Sequence, residues 1–237
     1  MKKPREKFKT YNDVFDIFTL RNLNKIFETL QLREPKVIPI SIGKEANVFK
    51  LEEDEKVFAL KIYRLETCDF NQMEFYLRND NRIAIKTKKR REIIFYWAKR
   101  EFLNLQKVKE LNINAPLPFA QKNNILIMSF IGDEWSAPKL KDYAFENHEE
   151  LNQIFTKTFE FILKLKNNNL VHGDLSEYNI LIKDCEPYFI DFSHATPLNT
   201  SLGMELLKRD LKNIAKFFLK AGISKEEIDK KINQILN

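Results

Sequence analysis

Glycine is scarce in this chain, with five among 237 residues, and the eight prolines form no cluster. There is no Gly/Ser-rich or Pro-rich run, no low-complexity stretch and no internal repeat, which leaves one globular domain or two small lobes sharing a cleft. Cysteine is scarcer still. Cys68 and Cys185 lie far apart with no CxxC spacing, which excludes a disulfide framework or a thiolate zinc site and leaves two free thiols. No apolar run approaches the ~20 residues of a membrane span, and the lysine-rich N-terminus leads into Tyr11-Asn-Asp-Val14 instead of an apolar signal core. The expectation is a cytoplasmic protein without membrane contact. A Walker phosphate loop is also missing.

Apolar residues are plentiful, at 43%, and the net charge is +6. Between residues 82 and 100, eight bases (Arg82, Lys86, Lys88, Lys89, Arg90, Arg91, Lys99 and Arg100) stand against the single acid Glu92, a local +7. Such a run is either a solvated face or a patch for RNA or a phosphoprotein. The interleaved Phe95, Tyr96 and Trp97 read as core.

Residues 1–36 carry Val14, Phe15, Ile17, Phe18, Leu20, Leu23, Ile26, Phe27 and Leu30 mostly at three- and four-residue steps, which predicts helix. Pro35 and Pro39 bound a change to extended chain. Residues 37–40, 46–51 and 57–63 then read as three strands of a small antiparallel sheet. Lys61 interrupts the last of them, where an unpaired ammonium is costly to bury, so it requires an anionic neighbour. Glu101 is the candidate. It lies on the apolar stripe of Trp97, Leu105 and Val108 in a predicted helix over 92–111, so its carboxylate faces inward.

The most informative stretch is His172-Gly-Asp-Leu-Ser-Glu-Tyr-Asn179. An aspartate five positions before an asparagine belongs to phosphoryl-transfer sites, where the aspartate orients the attacking hydroxyl and accepts its proton and the asparagine holds a metal ion. Asp174 and Asn179 fit those roles. Ile180-Leu-Ile182, a turn over 183–187 and Tyr188-Phe-Ile190 predict a hairpin that returns Asp191 beside Asn179. Two oxygen ligands on adjacent strand ends suit a hard cation such as Mg2+. His148, His172 and His194 are assigned no role as base.

Four segments together carry a family resemblance: Ser41-Ile-Gly-Lys-Glu-Ala-Asn-Val48, Ala59-Leu-Lys-Ile-Tyr-Arg64, Leu170-Val-His-Gly-Asp-Leu-Ser-Glu-Tyr-Asn-Ile-Leu181 and Ile190-Asp-Phe-Ser193. The chain resembles the RIO family of atypical protein kinases, and within it the Rio1 branch in an archaeal-type or minimal form. Leu207-Lys-Arg-Asp-Leu-Lys-Asn-Ile214 resembles the family's closing helix. Ile42, Ser129 and His194 depart from the residues usual in the branch, which are threonine, an acid and glutamine.

The resemblance implies an α+β, two-lobed protein-kinase-like fold. It has a small antiparallel-sheet N-lobe over 37–131, a mainly helical C-lobe over 132–237, and neither activation loop nor peptide-docking segments. Residues 65–91 become a basic, mobile insertion. The implied cofactors are ATP and Mg2+, with Mn2+ as a substitute. Ser41, Ile42, Gly43, Lys44, Glu45, Ala46, Asn47 and Val48 form the ATP-phosphate turn, Lys61 is the phosphate lysine and Glu101 its partner. Met128, Ser129 and Ile131 face adenine. Asp174 is catalytic, Asn179 and Asp191 bind metal, and Asp191 also belongs to a phospho-aspartate chemistry. The implied activity is serine/threonine phosphorylation or ATP hydrolysis on small-subunit pre-ribosomes, both rRNA and protein. A small-molecule kinase of the aminoglycoside or choline type and an RNA-binding pseudo-enzyme scaffold are the alternatives, and no oligomeric state is implied.

Overall fold

The computed structural model describes residues 16–237 apart from 67, 81, 86 and 88. The first helix, α1 (Ile17–Thr29), starts where the Asp16 carboxylate accepts the N–H groups of Phe18 and Thr19. Val14, Phe15 and the lysine-rich start lie outside the described residues. The N-lobe sheet contains β1 (Lys36–Ile42), β2 (Ala46–Glu53), β3 (Lys56–Tyr63), β4 (Pro118–Lys122) and β5 (Ile125–Ser129). Its order is β1-β2-β3-β5-β4, every pair antiparallel.

Alternation along the strands sorts the sheet into two faces. Phe49, Leu51, Leu60, Ile62, Ile125 and Ile127 form one buried cluster with Leu23, Ile26 and Phe27 of α1. At about 1.5–3 kcal/mol for each fully buried side chain, this contact holds a helix too short to persist alone. Helix α1 is therefore part of the N-lobe core. The opposite face, with Ala59, Lys61 and Val48, lines a cleft. Lys61 pairs in register with Val48 on one side and Leu126 on the other.

Within residues 65–91, expected as a basic insertion, lies helix α2 (Phe70–Arg78). Met73, Tyr76 and Leu77 are buried on it against α3 (Arg90–Glu110), so apolar spacing inside a polar stretch was enough to dock it. The basic run changes meaning too. Arg100 is 0% exposed, and Arg100 and Arg82 both pair with Asp80 just after α2, at 3.1 and 2.7 Å. Lys89, Arg90, Arg91 and Lys99 remain at the surface, and Lys86 and Lys88 lie outside the described residues.

The C-lobe comprises α4 (His148–Asn167), β6 (Leu170–Val171), the hairpin β7 (Ile180–Lys183) and β8 (Glu186–Phe189), β9 (Thr196–Pro197), α5 (Gly203–Ala221) and α6 (Lys225–Leu236). A capping box of Ser224 and Glu227 starts α6. Only a 3₁₀ turn, Phe192–His194, and β9 separate Asp191 from α5, so no long activation segment intervenes. The linker after β5 is gripped from both lobes. Lys50 Nζ of β2 donates to the carbonyls of Asp133 and Glu134 at 3.2 and 2.9 Å, and Lys183 Nζ of β7 to the Gly132 carbonyl and Asp133 Oδ1 at 3.1 and 2.6 Å. No helix among the described residues is long and apolar enough to cross a membrane.

Candidate active site

The cleft between the lobes encloses about 380 Å³ and is lined by residues from both. From above come Ser41, Gly43, Lys44, Glu45, Ala46 and Val48 at the β1–β2 turn, with Lys61 on β3. Gly43 explains why one glycine suffices there. Its N–H donates to the Ala46 carbonyl at 3.0 Å, and a Cβ at this position would meet the same oxygen at 2.8 Å. The turn is braced from beneath, since Arg64 N–H donates to the Glu45 carbonyl at 2.8 Å.

Lys61 has the two carboxylates its burial demands. Its Nζ lies 2.9 Å from Glu101 Oε1 and 2.9 Å from Asp191 Oδ1. Tyr63 donates its hydroxyl to the other oxygen of Glu101. Burial alone would make Lys61 a weaker base, but Asp191 and Glu101 outweigh it and hold the ammonium firmly protonated. For Glu101 burial dominates and raises the carboxyl above its usual range, with Lys61 pulling the other way. Burial also opposes ionisation of Asp191, but Lys61 and the Ser193 hydroxyl hold it well below the usual carboxylate range. Asp191 is therefore an anion with a left-handed backbone, φ 62°, the kind of outlier that collects at functional sites.

From below come Asp174, Tyr178, Asn179 and Asp191. The hairpin closes as expected, with Ile190 N–H donating to the Asn179 carbonyl at 3.0 Å. Asn179 Nδ2 donates to the Asp174 carbonyl at 2.8 Å and to its Oδ2 at 3.3 Å, which fixes the loop from within. Burial, then the charge of Asp191, raises the Asp174 carboxyl, the direction a proton acceptor needs. Glu45, raised by burial and by Asp191, adds a further carboxylate at the roof. His172 is buried, contacts the Ile190 carbonyl at 3.0 Å, and burial lowers it to about 4, so it stays neutral and structural.

Asn179 Oδ1 and Asp191 Oδ2 take part in no hydrogen bond among the described residues. These two hard oxygens are a donor set that fits a Mg2+ ion. At the back of the cleft lie Met128, Ser129, Phe130 and Ile131. The Ser129 hydroxyl oxygen accepts the Leu117 N–H at 2.9 Å, and its own N–H donates to the Leu117 carbonyl at 2.8 Å. The Ile131 N–H donates to no described residue.

Three of the residues expected at ATP stand apart from the cleft lining. Ile42 points its side chain outward at 75% exposure, Asn47 sits in β2 with its Oδ1 buried, and Glu101 lies behind Lys61. Ile40, Pro116, Ser136 and Lys139 line the cleft without having been read from sequence. Ile40 falls where β1 shifts register, between Pro39 and Ser41, and the other three occupy connections without a periodic pattern.

A sequence model of the RIO domain family matches residues 47–231. The RIO-type serine/threonine-protein kinase Rio1 of Methanocaldococcus jannaschii is 42% identical over 214 residues, 90% of this chain and 72% of that protein. The protein of the same name in Haloferax volcanii is 34% identical over 93% of this chain and 75% of its own length. Among solved structures, the Rio2 kinase of Chaetomium thermophilum, crystallised as an ADP/Mg2+-phosphoaspartate complex, superposes with a TM-score of 0.68 at 20% identity. That match covers 88% of this chain and 64% of the longer neighbour, and establishes the two-lobed fold.

Proposed function

The chain belongs to the RIO domain family of serine/threonine-protein kinases, and from that premise we propose that it binds ATP with Mg2+ in the interlobe cleft and transfers the γ-phosphoryl group, either to a hydroxyl of a protein, itself included, or to water. The observation that carries this reading is the Lys61 ammonium held between Glu101 and Asp191, facing Asp174 and Asn179 across the cleft. An ammonium at that point neutralises phosphate oxygens, and the turn around Gly43 covers them with backbone N–H groups. Adenine lies against Met128, Ser129 and Ile131, with the Ile131 N–H as donor. Asn179 and Asp191 hold Mg2+, which supplies neutralisation of the charge that develops between the β- and γ-phosphates. Asp174 orients the acceptor hydroxyl and takes its proton.

A second outcome is favoured by the anionic state of Asp191. A carboxylate oxygen of Asp191 attacks the γ-phosphorus, the bond to the β-phosphate oxygen breaks and ADP departs, leaving an acyl phosphate that water then hydrolyses. The physiological setting we propose is small-subunit ribosome maturation in the cytoplasm. Support for a polyanionic partner comes from α5, where Lys208, Lys212, Lys216 and Lys220 stand exposed at four-residue steps. Among the described residues none of the four has a carboxylate within ion-pair distance. The decisive experiment measures ATP turnover with pre-ribosomal particles, mature subunits and small-molecule alcohols side by side. Stimulation by precursor particles supports the proposal. Phosphorylation of a small alcohol with indifference to particles overturns it in favour of a metabolite kinase.

A further inference from the structure

The side chain of Asp191 is held by residues already placed in the reaction, but the turn that follows it is held by a residue the reaction leaves unused. Asn104 is 0% exposed and lies three residues after Glu101 on α3. Its Nδ2 donates to the Phe192 carbonyl at 2.7 Å and to the Ala195 carbonyl at 3.0 Å, so both hydrogens of one amide enter the 3₁₀ turn directly after Asp191. Arg100, four residues earlier on the same helix, donates to the Ala195 carbonyl at 3.1 Å and to the Thr196 hydroxyl at 2.7 Å. Inside the turn, the Ser193 hydroxyl donates to Asp191 Oδ1 at 2.7 Å.

We infer that Asn104 is a positioning residue for Asp191: by fixing the turn over 192–195 it keeps the Ser193 hydroxyl on Oδ1 beside Lys61, and so leaves Oδ2 as the oxygen for the metal ion. The inference rests on the reading of Asp191 as a Mg2+ ligand. Asn104 itself does not line the cleft. Its Oδ1 is buried with no hydrogen-bond partner among the described residues, a cost that leucine would avoid while filling the same space. What leucine lacks is two N–H groups for two carbonyls. A flipped amide would aim Oδ1 at both carbonyls, so the hydrogen-bond network admits one orientation. Helix α3 therefore holds Asp191 from two sides, at the carboxylate through Glu101 and Lys61 and at the backbone through Asn104. A non-glycine residue at φ 62° persists where its surroundings over-determine it in this way.

The test is Asn104→Leu in the full chain, which removes both donors at similar volume. The Phe192 carbonyl keeps the Ala195 N–H, and the Ala195 carbonyl keeps Arg100, so the turn loosens without losing every partner. Because misplacing a reacting group by 1 Å costs about a hundredfold, kcat for ATP turnover should fall about 10- to 100-fold. The Mg2+ concentration for half-maximal turnover should rise about tenfold, while Kd for ATP measured without Mg2+ stays within about twofold of the parent. Two readouts are independent of turnover: Mn2+ affinity in the ADP complex, followed by electron paramagnetic resonance, should weaken about tenfold, and amide exchange at Ala195 should accelerate while the core stays protected. Unchanged kcat and metal affinity overturn the inference, and so does a parallel loss of metal-free ATP affinity and global protection, which is what a purely structural role produces. Should Asn104→Leu fail to fold, Asn104→Ser keeps one donor, adds no volume and is read the same way. A parent chain that binds Mn2+ with ADP but does not turn over ATP overturns the proposed function instead, and the Mn2+ affinities still decide the role of Asn104. A parent that binds no metal overturns both.

Discussion

Replacing Lys61 by methionine separates the stabilising and functional roles of the buried triad. The substitution strands Glu101, whose side chain is 0% exposed, with the Tyr63 hydroxyl as its remaining partner. Breaking one side of a buried ion pair costs about 3–5 kcal/mol. Asp191 adds less, because its side chain is 40% exposed and rehydrates. In a domain of this size a loss of about 3–5 kcal/mol lowers Tm by roughly 6–20 °C.

Adding Glu101→Leu removes the stranded carboxylate and places an aliphatic group beside buried Trp97, Ala98 and Leu105. The double variant should regain most of the loss, short of about 1 kcal/mol for a Tyr63 hydroxyl left without its acceptor. Both variants should lack ATP turnover. The pH dependence has a definite sign. Glu101 already has a raised pKa from burial, and removing Lys61, which lowers it, raises it further. A raised acid contributes stability that is present below its unfolded value of 4.5 and is lost as pH rises through the folded value. The deficit of Lys61→Met should therefore be larger at pH 8 than at pH 5, and the double variant should show no such trend. Urea unfolding at the two pH values measures both. A double variant no more stable than the single one, or a deficit indifferent to pH, would refute the reasoning.

Asp174→Ala should abolish phosphoryl transfer while leaving ATP affinity intact, whereas Asp191→Ala should also weaken Mg2+-dependent nucleotide binding; calorimetric titration with and without Mg2+ separates the two, and equal turnover in the parent and Asp174→Ala would sink the assignment. Arg100→Met leaves Asp80 with Arg82 alone and removes donors to the Ala195 carbonyl and Thr196, so a loss of about 3 kcal/mol is expected in urea unfolding. His172 and His194, both lowered to about 4 by burial, contribute stability present above the unfolded value of 6.5 and lost as pH falls toward 4. His172→Gln should flatten the stability curve between pH 6.5 and 4, and an unaltered slope would contradict the buried neutral ring.

Asp174, Asn179 and Asp191 were legible because a hairpin brings them together through local turn chemistry. Lys61 and Glu101, 40 residues apart, were legible for a different reason: each charge interrupts an apolar pattern, and two such interruptions solve each other. Asn104 carries the same signal, a polar residue among buried Trp97, Ala98, Leu105 and Val108, but its partners are backbone carbonyls, which have no letter in a sequence. Arg100 misled because a run of bases does not reveal that α2 delivers Asp80 to one of them. Strand β4 escaped because Pro118 opens it and its residues do not alternate between buried and exposed.

The two lysines that grip the linker differ in their exposure to solvent. Lys50 is 5% exposed and lies 5.1 Å from the centre of the Phe130 ring, so dissolved ions reach its bonds to the Asp133 and Glu134 carbonyls poorly. The Lys183 link to Asp133 is open to water on the carboxylate side, 84% exposed, and is screened by salt. The linker is thus welded to the sheet above and only latched to the hairpin below. Raising the salt concentration should therefore loosen the hairpin's hold on the linker before it loosens the sheet's.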